Sequence, residues 1–328
     1  MIAVVGAGSW GTALANILAC KGLPVVLWGR NTSFIEQLRN TSINEKYLPN
    51  IELSKKIKFT SNLMDIKSAK VIIIATPSAF MRAIAKELYE IKISDTILVS
   101  CAKGLEEGSF YRMSEILEQE LPNNSYAVLS GPNHAESVSN GDPTATVLAS
   151  KDIKVLSYLQ ELLATDSFRP YTSVDILGVE LAGAFKNIIA LANGVLVGIG
   201  YGDNTSAALM TRGIVEIARL GSAMGAKDET FSGLAGIGDL IVTCISKHSR
   251  NRRAGELLGK GCSLEDVLHG TDMVIEGIKA TKIAYLLAKK YNVEMPITEK
   301  LYQILYENKP VNVAIKELML RDYKEDNI

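Results

Sequence analysis

Lys186 and Asn187 stand in the middle of ELAGAFKNIIALANG (residues 180–194), a stretch otherwise made almost entirely of alanine, leucine, isoleucine and glycine. Placing an ammonium in such company is costly unless the charge is paired or escapes to water. Two readings are open: the side chain snorkels out of a buried helix, or its amine is wanted for chemistry. A lysine amine can polarise a carbonyl oxygen, give it a proton and take that proton back. An ordinary lysine titrates at about 10.4, too high for an efficient base at neutral pH. Desolvation by Phe185, Ile188 and Ile189, or a nearby cation such as Lys103, lowers that value, whereas a close Asp239 opposes the shift.

Three further groups carry chemical potential. Lys103 directly follows an apolar strand in TILVSCAKG (96–104), at the end where α/β proteins place ligands. Its plain alternative is a surface lysine at a strand exit. Asp239 and Thr243 are four residues apart in GLAGIGDLIVTC (233–244), hence on one face of a helix; a carboxylate capping its own helix is the plain alternative. SKHSRNRRAG (246–255) concentrates Arg250, Arg252 and Arg253 beside Asn251. It reads either as a charged loop or as an anion site for a small phosphate, to which guanidinium geometry is suited.

The elements that must position these groups begin at the first residues. IAVV (2–5) reads as a buried strand, GAGSWG (6–11) as a turn, TALANILACKG as a helix, and VVLWGR (25–30) as a second strand. This is the order a dinucleotide fingerprint requires. Gly6 permits the tight turn, Gly8 lets backbone approach a pyrophosphate, and Gly11 lets helix and strand come close. The helix start offers unpaired N–H groups to the phosphates. No carboxylate ends the second strand to take a ribose hydroxyl; Arg30 is there instead, which favours NADP over NAD through its 2′-phosphate.

AKVIIIATP (69–77), TILVSCAKG, YAVLSGPNHA (126–135) and TATVLAS (144–150) continue the strands, with helices over 79–91 and 110–121. The alternation predicts an α/β class with a Rossmann-type doubly wound sheet, bringing Thr76, Pro77, Lys103 and Gly131 to one crevice. After about residue 180 the strand pattern fades. Helices are expected near 180–193, 206–221, 233–245, 251–259, 274–291, 296–307 and 311–320, with Asp203 and Asn204 just before the second and Thr205 as its N-cap. The expected organisation is a dinucleotide-binding domain over 1–180 and an all-helical substrate-binding domain over 181–328, with the catalytic crevice between them.

At 328 residues the chain is long enough for two domains. Its 35 basic and 36 acidic residues nearly cancel, which gives no global field for nucleic acid, and no aromatics interleave the arginines. The apolar stretch around 181–199 is broken by Lys186, Asn187, Asn193 and glycines, so it reads as a buried helix and not as a membrane insertion. Four cysteines without a CxxC pair and three scattered histidines give little support for a metal, and fit a reducing cytoplasmic setting.

Taken together, GAGSWGTALA (6–15), CAKGLE (101–106), GPNHAESV (131–138), VELAGAFKNIIALANG (179–194), GYGDNT (200–205), TFSGLAGIGDLIVTC (230–244) and SRNRRAGELLGKG (249–261) carry a resemblance covering the chain to about residue 310. The chain resembles the bacterial NAD(P)-dependent glycerol-3-phosphate dehydrogenases. The last four segments are not general Rossmann features. The resemblance implies a cytoplasmic oxidoreductase, commonly a homodimer, that reduces dihydroxyacetone phosphate for phospholipid synthesis. It implies Lys186 as the catalytic lysine and Lys103, Gly131, Asn133, Asp239, Ser249, Arg250 and Asn251 at the substrate. It implies Ser9, Trp10, Arg30, Lys103, Ala135, Arg250, Val274 and Glu276, with the three glycines, at NADP or NAD. Three positions depart from the family's pattern: Asn133 replaces a small hydroxyl residue, Val197 an aspartate and Ser206 a lysine. A hydroxy-acid dehydrogenase and a non-catalytic nucleotide sensor are the competing readings; the Arg250 cluster argues against the first, and the paired lysines against the second.

Overall fold

The structure, a computed structural model, describes residues 1–270 and 274–322. The chain divides into two compact units, Met1–Ile176 and Leu177–Ile328.

The first unit runs β1 (Ile2–Val5), α1 (Ser9–Cys20), β2 (Val25–Trp28), α2 (Thr32–Thr41), β3 (Ile43–Asn44), β4 (Leu48–Glu52) and β5 (Ile57–Thr60). It continues through β6 (Val71–Ile74), α3 (Met81–Glu90), β7 (Ile97–Ser100), α4 (Met113–Glu120), β8 (Ser125–Ser130) and α5 (Ala135–Ser139). β9 (Thr144–Ala149), α6 (Ile153–Leu163) and β10 (Phe168–Ser173) close it. One eight-stranded sheet has the order β10-β9-β8-β7-β6-β1-β2-β5, with β3 and β4 forming a separate hairpin. All its pairings are parallel except β8 with β9. Strand order reverses direction between β6 and β2, on either side of β1, which is where a doubly wound sheet opens to a ligand.

Short runs such as VVLW and VIII are buried along their whole length because helices cover both faces. Ile2 and Val4 pack with Leu14, Leu18, Leu38 and Leu159 on one side. Ala3 and Val5 pack with Met81, Ile84, Leu88 and Leu117 on the other, as the two-residue period of a strand requires. Four strands beyond the expected set appear. The hairpin β3–β4 and the edge strand β5 follow α2, and β10 forms the opposite edge. β10 reads FRPYTS, whose arginine and proline hide its strand character; proline is tolerated there because an edge strand has an unpaired side.

The second unit is helical: α7 (Ile176–Ile199), α8 (Asp203–Ala223), α9 (Asp228–Phe231), α10 (Asp239–Ile245), α11 (Arg250–Gly259), α12 (Leu264–His269), α13 (Glu276–Tyr291), α14 (Pro296–Tyr306) and α15 (Val311–Met319). α7 is long and apolar enough to cross a membrane, yet 83% of its most apolar window is buried within the protein. A helix apolar all round is a core helix. Thr205 is not an N-cap: α8 begins earlier, with Gly202 as its cap and Asp203 in the first turn. There a carboxylate complements the helix dipole. The helix expected from 233 is a wide π-type turn over Leu234–Gly238 leading into α10.

Candidate active site

The glycine turn of the first unit has the features a pyrophosphate needs. Gly6 has φ +115°, and a Cβ there would lie 2.9 Å from the Ala75 carbonyl oxygen at the end of β6. A Cβ on Gly11 would lie 1.9 Å from the Gly6 carbonyl oxygen, so α1 starts in contact with the turn. Nothing lies within 4 Å of the corresponding point on Gly8, which leaves that side of the turn clear. No side chain caps α1 and no acidic residue occupies its first turn, so its positive end is not neutralised locally. Thr76 Oγ1 is buried at the end of β6 without a hydrogen-bond partner among the described residues. A dinucleotide's phosphates fit this cradle. Trp10 packs with Ala135 in one small cluster. Arg30 is exposed at the end of β2, its Nη2 donating to Glu87 Oε1 at 2.7 Å.

One residue that holds this turn is absent from the expected set. Buried Asn44, on β3, donates through Nδ2 to the Ala7 carbonyl at 3.1 Å and to Thr12 Oγ1 at 2.7 Å. The hairpin thus pins the turn to α1. A lone asparagine in TSINEKY gives no sequence signal of this, because its partners are more than thirty residues away.

Lys103 leaves the end of β7 and donates to the Gly131 carbonyl at 3.0 Å and to Asn133 Oδ1 at 3.2 Å. The Asn133 amide donates in turn to Thr146 Oγ1 at 2.9 Å, and Thr146 donates to the Ser130 carbonyl at 2.8 Å. Lys103, Gly131 and Asn133 are therefore one constellation. In it Asn133 accepts from the ammonium, as a hydroxyl oxygen could, and also reaches β9. Beside it burial pushes the Cys101 thiol up to about 12, against a hydrogen bond from Trp10 and the Lys103 charge. Cys101 is a neutral packing group at physiological pH and no nucleophile.

In the second unit Lys186 is only 3% exposed and Asp239 is fully buried. Lys186 Nζ donates to Asp239 Oδ1 at 2.6 Å and to the Thr243 hydroxyl. Thr243 donates onward to the Asp239 carbonyl oxygen at 2.6 Å. The four-residue spacing of Asp239 and Thr243 thus puts two acceptors on one face of α10, both directed at one amine on α7. The snorkelling alternative is excluded for Lys186: its charge ends in a buried ion pair. Burial and the carboxylate act on the amine in opposite directions, and the pair sits in a low-dielectric setting. Nearby Cys244 is also pushed up to about 12 by burial, despite the Lys186 and Arg252 charges.

Asn187, the neighbour of Lys186, accepts from Asn251 Nδ2 at 2.8 Å. Asn251 Oδ1 accepts the Gly277 N–H at 2.8 Å, satisfying a donor of the first turn of α13. Ser249 caps α11 by accepting from the Arg252 N–H. Arg250, the first residue of that helix, is exposed and donates to the Val274 carbonyl at 3.2 Å. Ser249, Arg250, Asn251, Val274 and Glu276 are therefore gathered where α11 and α13 begin, tied to α7 through Asn187. Helix contact makes this possible. A Cβ on Gly194 or Gly198 would lie 2.1 or 2.3 Å from carbonyl oxygens of α11, and one on Gly255 or Gly259 would lie 2.0 or 2.3 Å from those of α7. No larger residue fits between the two backbones.

Among the described residues no group of three or more His, Cys, Asp or Glu is placed to hold a metal ion. The profile of the NAD-dependent glycerol-3-phosphate dehydrogenase N-terminus matches residues 1–156, and that of the C-terminus matches residues 175–316. The glycerol-3-phosphate dehydrogenase (NAD(P)+) of Moorella thermoacetica is 51% identical over 321 residues, covering 98% of this chain and 96% of that protein. The Bacillus subtilis enzyme of the same name is 48% identical over 324 residues, covering 98% and 94%. The crystal structure of glycerol-3-phosphate dehydrogenase from Coxiella burnetii is 38% identical, covers 98% of each chain and superposes with a TM-score of 0.93. On these matches, which span both halves, the chain belongs to the NAD-dependent glycerol-3-phosphate dehydrogenase family.

Proposed function

We propose that this protein catalyses the reversible reduction of dihydroxyacetone phosphate to sn-glycerol 3-phosphate with NADPH or NADH, NADPH being preferred. Family membership supports the reaction class, and one observation carries the mechanism: the Lys186 ammonium, buried on an apolar helix and held by Asp239 and Thr243. The residues around Gly6, Gly8 and Gly11, with Ser9, Trp10, Arg30 and Ala135, would hold the cofactor, which supplies the hydride when bound.

The rest of the chemistry belongs to the chain. As the ketone carbon is reduced, negative charge grows on its oxygen. Lys186 stabilises that charge and transfers a proton to it, becoming a neutral amine. In the reverse direction the amine takes the hydroxyl proton of glycerol 3-phosphate. Asp239 and Thr243 orient Nζ throughout, and Asp239 balances the charge when the ammonium re-forms. Because both are fixed by the fold, little reorganisation accompanies the transfer. Lys103, placed by Gly131 and Asn133, contributes a second cation to the substrate. Arg250 at the start of α11, aided by Ser249 and Asn251, is suited to a phosphate by its planar donors and the helix terminus. Val274 and Glu276 complete the cofactor side of that group.

A cytoplasmic setting, a supply of product to glycerophospholipid synthesis, and a homodimer formed through the helical unit belong to the same reading. The test is direct. Cofactor absorbance is followed with dihydroxyacetone phosphate, with NADH and NADPH in separate runs. Ketone-dependent oxidation is expected with both and is faster with NADPH at low concentration. No oxidation at saturating ketone would overturn the proposal.

A further inference from the structure

The segment that carries Lys103 continues into an unusually well-anchored loop. Arg82, on α3, meets the Glu106 carboxylate side-on, Nε to Oε1 at 2.6 Å and Nη2 to Oε2 at 2.8 Å. Its remaining edge reaches α4, with Nη1 on Glu120 Oε1 at 2.5 Å and Nη2 on Gln119 Oε1 at 3.0 Å. The guanidinium and both carboxylates are largely covered, each at most 27% exposed. The Glu106 carboxylate is held below the usual range by Arg82 first, and by a hydrogen bond from Ser109.

Glu106 lies three residues beyond Lys103. It is also the base of the loop: its N–H donates to the Tyr111 carbonyl at 2.8 Å, and its carbonyl accepts from Phe110 at 3.0 Å. Leu105 pairs with Arg112 across the loop's neck. On the other side of Lys103, the Cys101 N–H donates to the Ile74 carbonyl at 2.9 Å, continuing the sheet. The backbone of Lys103 therefore runs between two fixed points, the end of β7 and the fork formed by Arg82 and Glu106. A fork of this kind fixes orientation as well as distance, which a lysine could not do in arginine's place.

We propose that Arg82 and Glu106 are positioning residues for ketone reduction, clamping the loop after β7 so that Lys103 keeps its place against Gly131 and Asn133. The proposal rests on the reading of Lys103 as a substrate-contacting group. Neither member of the clamp touches substrate; their effect passes through Lys103. Displacement of a catalytic group by an ångström is worth about 100-fold in rate, and a loosened loop produces a part of that.

The experiment measures kcat and KM for dihydroxyacetone phosphate, and cofactor Kd, for Arg82→Met, Arg82→Lys and Glu106→Gln, each with Lys103 present and with Lys103→Ala. Arg82→Met is expected to lower kcat/KM by roughly 10-fold or more, well within the range of misplacement effects, with any change in cofactor Kd no larger than that of Lys103→Ala. Arg82→Lys is expected to recover little, because the fork is lost. In the Lys103→Ala background all three changes should have almost no further effect. If Lys103→Ala is severely impaired and the clamp substitutions still lower activity by their full factor in that background, the clamp idea is wrong while the reading of Lys103 stands. If Lys103→Ala retains normal kinetics, the reading of Lys103 fails and the clamp with it. Glu106→Gln keeps the shape of the side chain, so it supplies the same comparison if Arg82→Met does not fold.

Discussion

Gly255→Ala should separate two helices that the site depends on. A Cβ at 255 would stand 2.0 Å from the Leu191 carbonyl oxygen, 2.8 Å from the Val195 nitrogen and 2.9 Å from the Gly194 Cα. All three obstacles are backbone, so no rotamer change relieves them. Ordinary contact begins at 3.4 Å, so α11 must retreat from α7 by about 1.4 Å (3.4 less 2.0). Overpacking of this kind costs about 1–3 kcal/mol. The same retreat stretches the Asn251–Asn187 hydrogen bond, now 2.8 Å, past useful length, at about 0.5–1.5 kcal/mol. For a total of about 3 kcal/mol the melting temperature of a unit this size falls by roughly 6–12 °C. Arg250 moves with α11, so KM for the ketone should rise while the cofactor turn at Gly6–Gly11 is untouched. Thermal unfolding and steady-state kinetics read the two effects. Gly202→Ala, with nothing within 4 Å of the new carbon, is the control for packing; as the N-cap of α8 it should itself cost no more than about 1 kcal/mol. A Gly255→Ala protein melting within 2 °C of wild type (an allowance of about half a kcal/mol by the same scale) would refute the packing argument.

Other outcomes follow from the same structure. Arg30→Ala should weaken NADPH by about 10-fold, the worth of one charge-assisted hydrogen bond at the low end, and leave NADH nearly unchanged; an unaltered ratio of the two Michaelis constants removes Arg30 as the selector. Arg250→Leu should raise KM for the ketone by at least about 10-fold on the same basis, and an unchanged KM excludes it from phosphate recognition. Glu216 gives a pH signature: burial pushes its carboxyl up to about 7, against N–H donors from Ile297 and Thr298 at the start of α14. Its folded value lies above its unfolded one, so its contribution is complete below about 4.5 and is lost as pH rises through about 7. That window is worth about 3 kcal/mol. Urea unfolding should therefore show wild type losing stability relative to Glu216→Gln between pH 5 and pH 8; a pH-independent difference contradicts it.

The sequence made the cofactor half legible because its signals are local. A glycine turn between an apolar strand and a helix needs no distant partner to be recognised, and apolar runs such as VIII announce buried parallel strands. Lys186 stood out for the same reason, as a charge in an apolar helix, and the spacing of Asp239 and Thr243 was readable as one helical face. What the sequence concealed is long-range. The partners of Asn44 and Arg82 are fixed only by tertiary folding, and the glycines of α7 and α11 reveal their purpose only when the two backbones meet. β10 was hidden by a proline that an edge position tolerates, and the true start of α8 by polar residues that serve equally well as a loop or a first turn.

The most direct test is single-site: turnover and cofactor binding in Lys186→Met, which keeps most of the apolar stem and removes the ammonium group. The account predicts kcat lower by about 1,000-fold or more, the scale of general acid–base and electrostatic contributions lost together, with NADPH Kd within two-fold and the fold intact by circular dichroism. A folded Lys186→Met enzyme turning over within about ten-fold of wild type, a barrier change of only 1.4 kcal/mol, would contradict it.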